Sequence, residues 1–286
     1  MNLKENKIFS YAIVVIAYVL ATAVAVIAYN ALPFNPYLNL LIVDVLATVV
    51  VFIFSLVVNN SSVYDPYWSV QPFIIGLLFG LKYGFNLYSA ILFIAITIWA
   101  IRLTVNWTFE FKNLTYQDWR YIHLKNTTGK FYQIINFVGI HLVPTLVVYA
   151  CTLPLVYSII NKPSLNYFSL LFIAVCLFAV TLQLVADTQM REYRKTKPTV
   201  FIRVGLWKYS RHPNYLGEIL MWWGVGLATL ISAPSAWNLL LGAILNTLLF
   251  LFVSIPLQDS RQAKKPGFSE YKKQTHALIP IYKKVR

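Results

Sequence analysis

Seven long apolar runs leave this chain few ways to fold. They are Ile8–Tyr29, Leu38–Val58, Leu87–Trp107, Ile134–Ile159, Tyr167–Ala186, Tyr215–Ile231 and Trp237–Pro256. A helix needs about 20 apolar residues to cross the hydrocarbon core. In lipid, backbone N–H and C=O groups must be satisfied internally, which a helix does within one segment. Pro72–Phe85 is a shorter, glycine-containing run. It is either an eighth span that starts within Tyr64–Val70 or a re-entrant piece. Only 12% of the residues are charged, about half of the roughly 25% usual in soluble domains. The expected fold is all-α, a polytopic membrane helical bundle with seven or eight transmembrane helices. No linker is long or polar enough to mark a second domain, so residues 1–286 read as a single membrane domain.

Charge placement favours eight spans and supplies an orientation. One side then holds the N-terminus, Asn59–Gln71, Thr108–Phe131, Asp187–Asn214 and the C-terminal tail. That side carries all but three of the 24 Lys and Arg residues, the exceptions being Lys82, Lys162 and the intraspan Arg102. The positive-inside rule places the basic side, with the C-terminus, in the cytosol. The net charge of +14 is thus a topology signal. No interleaved base-stacking module accompanies it, so membrane lipids rather than nucleic acid are the expected partners.

The first span is too long for the h-region of a signal peptide. Sequons at Asn59, Asn60, Asn106, Asn113 and Asn126 face no lumen on this topology and are expected to stay unglycosylated. The tail Lys283-Lys284-Val285-Arg286 has the spacing of a dilysine retrieval signal, or is a plain basic end. The expected location is the endoplasmic reticulum membrane in a eukaryote and the inner membrane in a bacterium. Cys151 and Cys176 lie inside apolar runs, and the four histidines are scattered. No metal site is expected.

Ionisable groups inside membrane spans are costly and are functional candidates for that reason. Asp44, Arg102, Asp187 and Glu218 are such groups. An Asp44–Arg102 ion pair would satisfy two of them without chemistry. The densest polar stretch is Tyr209-Ser-Arg-His-Pro-Asn-Tyr-Leu-Gly-Glu218 at the door of an apolar helix. Before it comes a loop rich in bases, including Arg191, Arg194, Lys195, Lys197 and Arg203. Arginine forks bind phosphate bidentately and lysine adds a point charge. The loop therefore reads as a receptor for a phosphate-bearing cofactor, or as a patch against anionic lipid.

Pro213 pre-sets a helix start, whose free N–H groups and dipole favour an anion. Asn214, Tyr215 and Glu218 fall on one helical face. The candidate cofactor cluster thus includes Tyr209, Arg211, His212, Asn214, Tyr215 and Glu218, at the cytosolic side of the C-terminal half. Tyr271, in an amphipathic C-terminal segment, is either a cofactor contact or an interfacial anchor. Asp65 and Tyr67, in Tyr64-Asp-Pro-Tyr-Trp68, are a proton-donating pair for a carbonyl substrate or part of an interfacial aromatic belt.

The segment Gly205-Leu-Trp-Lys-Tyr-Ser-Arg-His-Pro-Asn-Tyr-Leu-Gly-Glu218 resembles the C-terminal domain of steroid 5-alpha-reductases. The upstream Asp187…Arg194…Lys197-Pro198 and the terminal Glu270-Tyr271…Ala277-Leu-Ile-Pro280 fit the same family. Asp65-Pro-Tyr-Trp68 resembles the related DUF1295 membrane proteins. The resemblance implies an NADPH-dependent reductase that reduces a carbon–carbon double bond of a steroid-like or other lipid enone. It implies that Asp187, Arg194, Asn214 and Glu218 lie against NADPH, with Arg102, Arg211, Tyr215 and Tyr271 in the same shell. Residues 1–130 would be the substrate-side helices, admitting substrate from the membrane, and 131–286 the cofactor half. Trp99 stands where the steroid enzymes carry a substrate-binding Tyr, and an indole cannot protonate a ketone.

Two other classes stay open. Isoprenylcysteine and phospholipid methyltransferases, which use S-adenosylmethionine, also carry an Arg-His-Pro-x-Tyr-x-Gly stretch before a span. They resemble each other in a Glu-Glu pair after the last span, where this chain reads Gln258-Asp259. A catalytically inactive lipid-binding relative of the reductases is the other alternative.

Overall fold

The computed structural model describes residues 3–196 and 199–281, so Lys197, Pro198 and the Lys283-Lys284 pair lie outside the described residues. The helices are α1 (Lys7–Ala31), α2 (Pro36–Val57), α3 (Tyr67–Tyr83), α4 (Leu87–Glu110), α5 (Trp119–Thr128), α6 (Tyr132–Ile135), α7 (Val143–Asn161), α8 (Ser169–Lys195), α9 (Pro213–Ser232), α10 (Leu241–Leu249), α11 (Ile255–Gln262) and α12 (Phe268–Gln274). Two π-helical stretches, Asn136–Leu142 and Phe250–Ser254, carry α6 into α7 and α10 into α11. The fold is all-α, and among the described residues seven helical segments are long and apolar enough to cross a membrane. The short run is α3, a continuous 17-residue helix with Pro72 inside it. At 1.5 Å per residue it is about 26 Å long, and it starts within Tyr64–Val70.

The described residues form two compact units. Unit 1 comprises residues 1–78 and 103–153, and unit 2 comprises residues 79–102 and 154–286. Unit 2 takes in the first part of α4 because that helix bonds to α8 and α9.

In unit 1, α1 and α2 pack through Val14, Ala17 and Ala21 with Ala47 and Val51, beside Tyr64, Tyr67 and Phe111. Each helix starts on an asparagine cap. Asn6 accepts from Phe9 N at 3.0 Å and Asn35 from Leu38 N at 3.0 Å. Such caps satisfy amides that the helix itself leaves open. Asn60 fixes the turn after α2 by donating to Leu114 O at 2.8 Å and Tyr116 O at 2.9 Å. The first π stretch turns His141 inward, where its Nδ1 meets Asn136 O at 3.0 Å and its Nε2 meets Ser55 Oγ at 2.9 Å.

In unit 2, α8 and α9 form an antiparallel hairpin. Two glycines allow its close approach. A Cβ on Gly217 would lie 2.4 Å from Gln183 Cγ and 2.8 Å from Ala179 O. One on Gly224 would lie 2.6 Å from Cys176 Sγ and 2.9 Å from Phe172 O. Tyr88 on α4 bonds Thr229 on α9 at 3.0 Å. The C-terminal segment is tied back by backbone bonds from Arg211 N to His276 O and from His212 N to Ala277 O, each 3.0 Å. Phe268 and Tyr271 on α12 are buried with Phe201.

Candidate functional site

Three helices of unit 2 each turn two polar side chains to a common strip. Trp99 and Arg102 are three apart on α4, Gln183 and Asp187 four apart on α8, and Asn214 and Glu218 four apart on α9. Residues three or four apart share a helical face about one turn from each other. The strip therefore has two layers.

The first layer centres on Asp187. Arg102 Nη1 lies 2.7 Å from Asp187 Oδ2, and Asn214 Nδ2 donates to Asp187 Oδ1 at 3.3 Å. Arg102 is held by Asp187 rather than by the alternative partner Asp44, which accepts from Gln71 within unit 1. An ionised carboxylate only accepts, so Asn214 must present its NH₂ to Asp187. Its Oδ1 is left buried without a partner, as is Arg102 Nε.

The second layer surrounds Glu218, which is 4% exposed. Trp99 Nε1 donates to Oε2 at 2.9 Å, Gln183 Nε2 to Oε2 at 3.0 Å, and Trp222 Nε1 to Oε1 at 2.9 Å. Among the described residues no Lys, Arg or His lies within the 4.0 Å of an ion pair. Three neutral N–H donors hold this carboxylate in place of a counter-ion. Trp99 and Trp222 meet edge to face at 4.9 Å. Gln183 Oε1 is buried without a partner.

A separate network anchors the start of α9. Arg211 grips Asp259 through Nη2–Oδ2 at 3.1 Å and Nε–Oδ1 at 3.3 Å, and Thr275 O at 2.5 Å through Nη1. His212 Nε2 meets Asp259 Oδ1 at 2.9 Å, and Lys272 Nζ lies 3.3 Å from Oδ2. Burial holds the His212 imidazole below its ordinary 6.5; Arg211 and Lys272 push the same way, and Asp259 opposes them. Tyr271 donates to Trp207 O, and burial pushes its phenol up to about 12. Arg211, His212 and Tyr271 thus hold the C-terminal segment against the helix start.

The other expected site residues are dispersed. Tyr215 stacks on His212 with ring centroids 5.1 Å apart and planes 6° apart. Tyr209 and Arg194 are exposed, and Lys197 lies outside the described residues. In unit 1, Tyr121 donates to Asp65, and Arg120 lies 3.9 Å from it. Burial raises Asp65 from 3.8 to about 6 against the pull of Arg120 and Tyr121. Tyr67 is 6% exposed. Sequence reasoning missed Gln183, Trp222 and the role of Asp259. The i, i+4 spacing of Gln183 and Asp187, matching that of Asn214 and Glu218, was the available signal for Gln183.

The fold and the strip define a multi-helix protein of membrane type with a buried polar site on three apolar helices. The family described as "Protein of unknown function (DUF1295)" matches residues 51–275, and the chain belongs to that family. An uncharacterized protein of Schizosaccharomyces pombe is 25% identical over 276 residues, covering 86% of this chain and 80% of its own length. No solved structure matches the chain.

Proposed function

We propose that the chain is an NADPH-dependent membrane reductase acting on a carbon–carbon double bond of a lipid or steroid-like enone. The observation that carries this reading is the set of unanswered atoms in the strip: the donor Arg102 Nε and the acceptors Asn214 Oδ1 and Gln183 Oε1. A buried polar atom left unpaired costs about 1–3 kcal/mol, and native sites with several such atoms call for a ligand or ordered water. A carboxamide brings an acceptor and donors on one edge, which is the complement of this set. The nicotinamide end of a dinucleotide carries such a group and, when bound, supplies a hydride.

Arg102, Asn214 and Gln183 would bind and orient that end. Asp187 fixes Arg102 and Asn214, and the indoles of Trp99 and Trp222 fix Glu218. The apolar helices around the strip exclude water. Asp65 and Tyr67 are the proposed polar groups for the substrate oxygen. The Gln258-Asp259 pair supports the reductase over the methyltransferase, since the Asp259 carboxylate is engaged by Arg211, His212 and Lys272.

The test is thermal stabilisation of the purified full chain by NADPH, NADH and S-adenosylmethionine in parallel. A ligand at 100 times its Kd adds about 2.7 kcal/mol of stability. NADPH is expected to stabilise and S-adenosylmethionine not, with the NADPH effect lost in Asn214→Ala. Stabilisation by S-adenosylmethionine alone would end the reductase reading.

A further inference from the structure

Unit 1 holds a second buried polar site, on α2 and α3. Asp44 and Gln71 are 5% and 4% exposed. Gln71 Nε2 donates to Asp44 Oδ2. Among the described residues no cation lies within the 4.0 Å of an ion pair with Asp44. Gln71 Oε1 is buried with no hydrogen-bond partner.

The neighbouring hydroxyls do not supply the missing donors. Thr48 and Thr145 bond each other at 3.1 Å, and Tyr64 bonds Thr145 at 2.9 Å. Thr48 also donates to the backbone oxygen of Asp44 at 2.9 Å. None of these bonds reaches the carboxylate. The Gln71 amide turns its NH₂ toward Asp44 and its carbonyl away. No protein donor answers the Gln71 carbonyl.

We propose that Asp44 and Gln71 bind the head group of a lipid whose head is a hydrogen-bond donor, a protonated amine or a hydroxyl, on an apolar tail. A protonated amine would neutralise Asp44 and donate to both oxygens. A hydroxyl would donate one bond. A ketone brings only a further acceptor and is excluded on the same chemistry. Intramembrane carboxylates commonly serve as ligand counter-ions. The inference rests on unit 1 alone and does not depend on the cofactor reading.

The full chain in detergent is titrated with stearylamine, stearyl alcohol and a methyl ketone of the same chain length, with melting temperature and tryptophan fluorescence as readouts. The amine and the alcohol are expected to stabilise the wild type, and the ketone not to. Asp44→Asn should weaken the amine about tenfold or more, as for a lost charge-assisted bond. Gln71→Met, which keeps the side-chain length, should weaken both donors and carries the test if Asp44→Asn does not fold. NADPH stabilisation, read on the same samples, should be unchanged in both variants, so that failure of either proposal is seen separately. Equal binding of the ketone, equal affinities in wild type and variants, or no effect of any of the three lipids overturns the proposal.

Discussion

Arg102 Nη1 and Asp187 Oδ2 lie 2.7 Å apart, with side chains 7% and 15% exposed. Breaking a buried pair from one side leaves an uncompensated charge and costs about 3–5 kcal/mol. Arg102→Met should therefore lower the melting temperature markedly. The double variant Arg102→Met/Asp187→Asn should recover part of the loss. Additive losses in this cycle would show that the two groups do not act as a pair.

Gly217 has no room for a methyl group. Gly217→Ala places a Cβ 2.8 Å from the backbone oxygen of Ala179, and overpacking of this kind costs about 1–3 kcal/mol. Gly139→Ala, whose nearest neighbour would be Ile135 Cγ2 at 3.9 Å, should be close to neutral. Thermal melts of the two variants in one detergent check the contrast.

Asp259 is the common acceptor of Arg211, His212 and Lys272. Asp259→Ala strips two buried donors of their partner and should cost about 3–5 kcal/mol. It should also speed proteolysis after residue 262 and hydrogen exchange at the Arg211 and His212 amides. Unchanged cleavage of the C-terminal segment would show that the latch lies elsewhere.

Asp65 gives a pH dependence. Its folded value is about 6 against an ordinary 3.8. Between these values the folded chain holds the proton and the unfolded chain does not, so stability falls as pH rises from about 4 to about 6 and levels off above. Asp65→Asn should remove that contribution. Melting curves of wild type and variant should diverge as pH rises through this window, with the variant becoming the more stable of the two.

The sequons test the orientation. On the cytosolic-loop topology, Asn113 and Asn126 should carry no glycan when the chain is made in a eukaryotic cell. A mass shift removed by glycosidase would reverse the orientation.

The apolar runs were enough to set the helices. Leu87–Trp107 and α4, or Tyr167–Ala186 and the body of α8, nearly coincide, because lipid permits no other local solution for a long apolar segment. Motif spacing likewise brought out Asn214 and Glu218 on one face of α9, as it did Asp65 just before α3 and Tyr67 at its first position. What the linear pattern could not supply was partnership. Asp44, Arg102 and Asp187 are all intraspan charges, and nothing in their spacing says which pairs with which. The close approach of α8 and α9 through Gly217 and Gly224, and the position of α4 beside them, give Asp187 to Arg102 and Asn214. The same packing surrounds Glu218 with Trp99, Gln183 and Trp222. Helix identity is a local property of composition in a membrane. Charge pairing depends on distances set by side chains far apart in the chain, and only the tertiary structure fixes those.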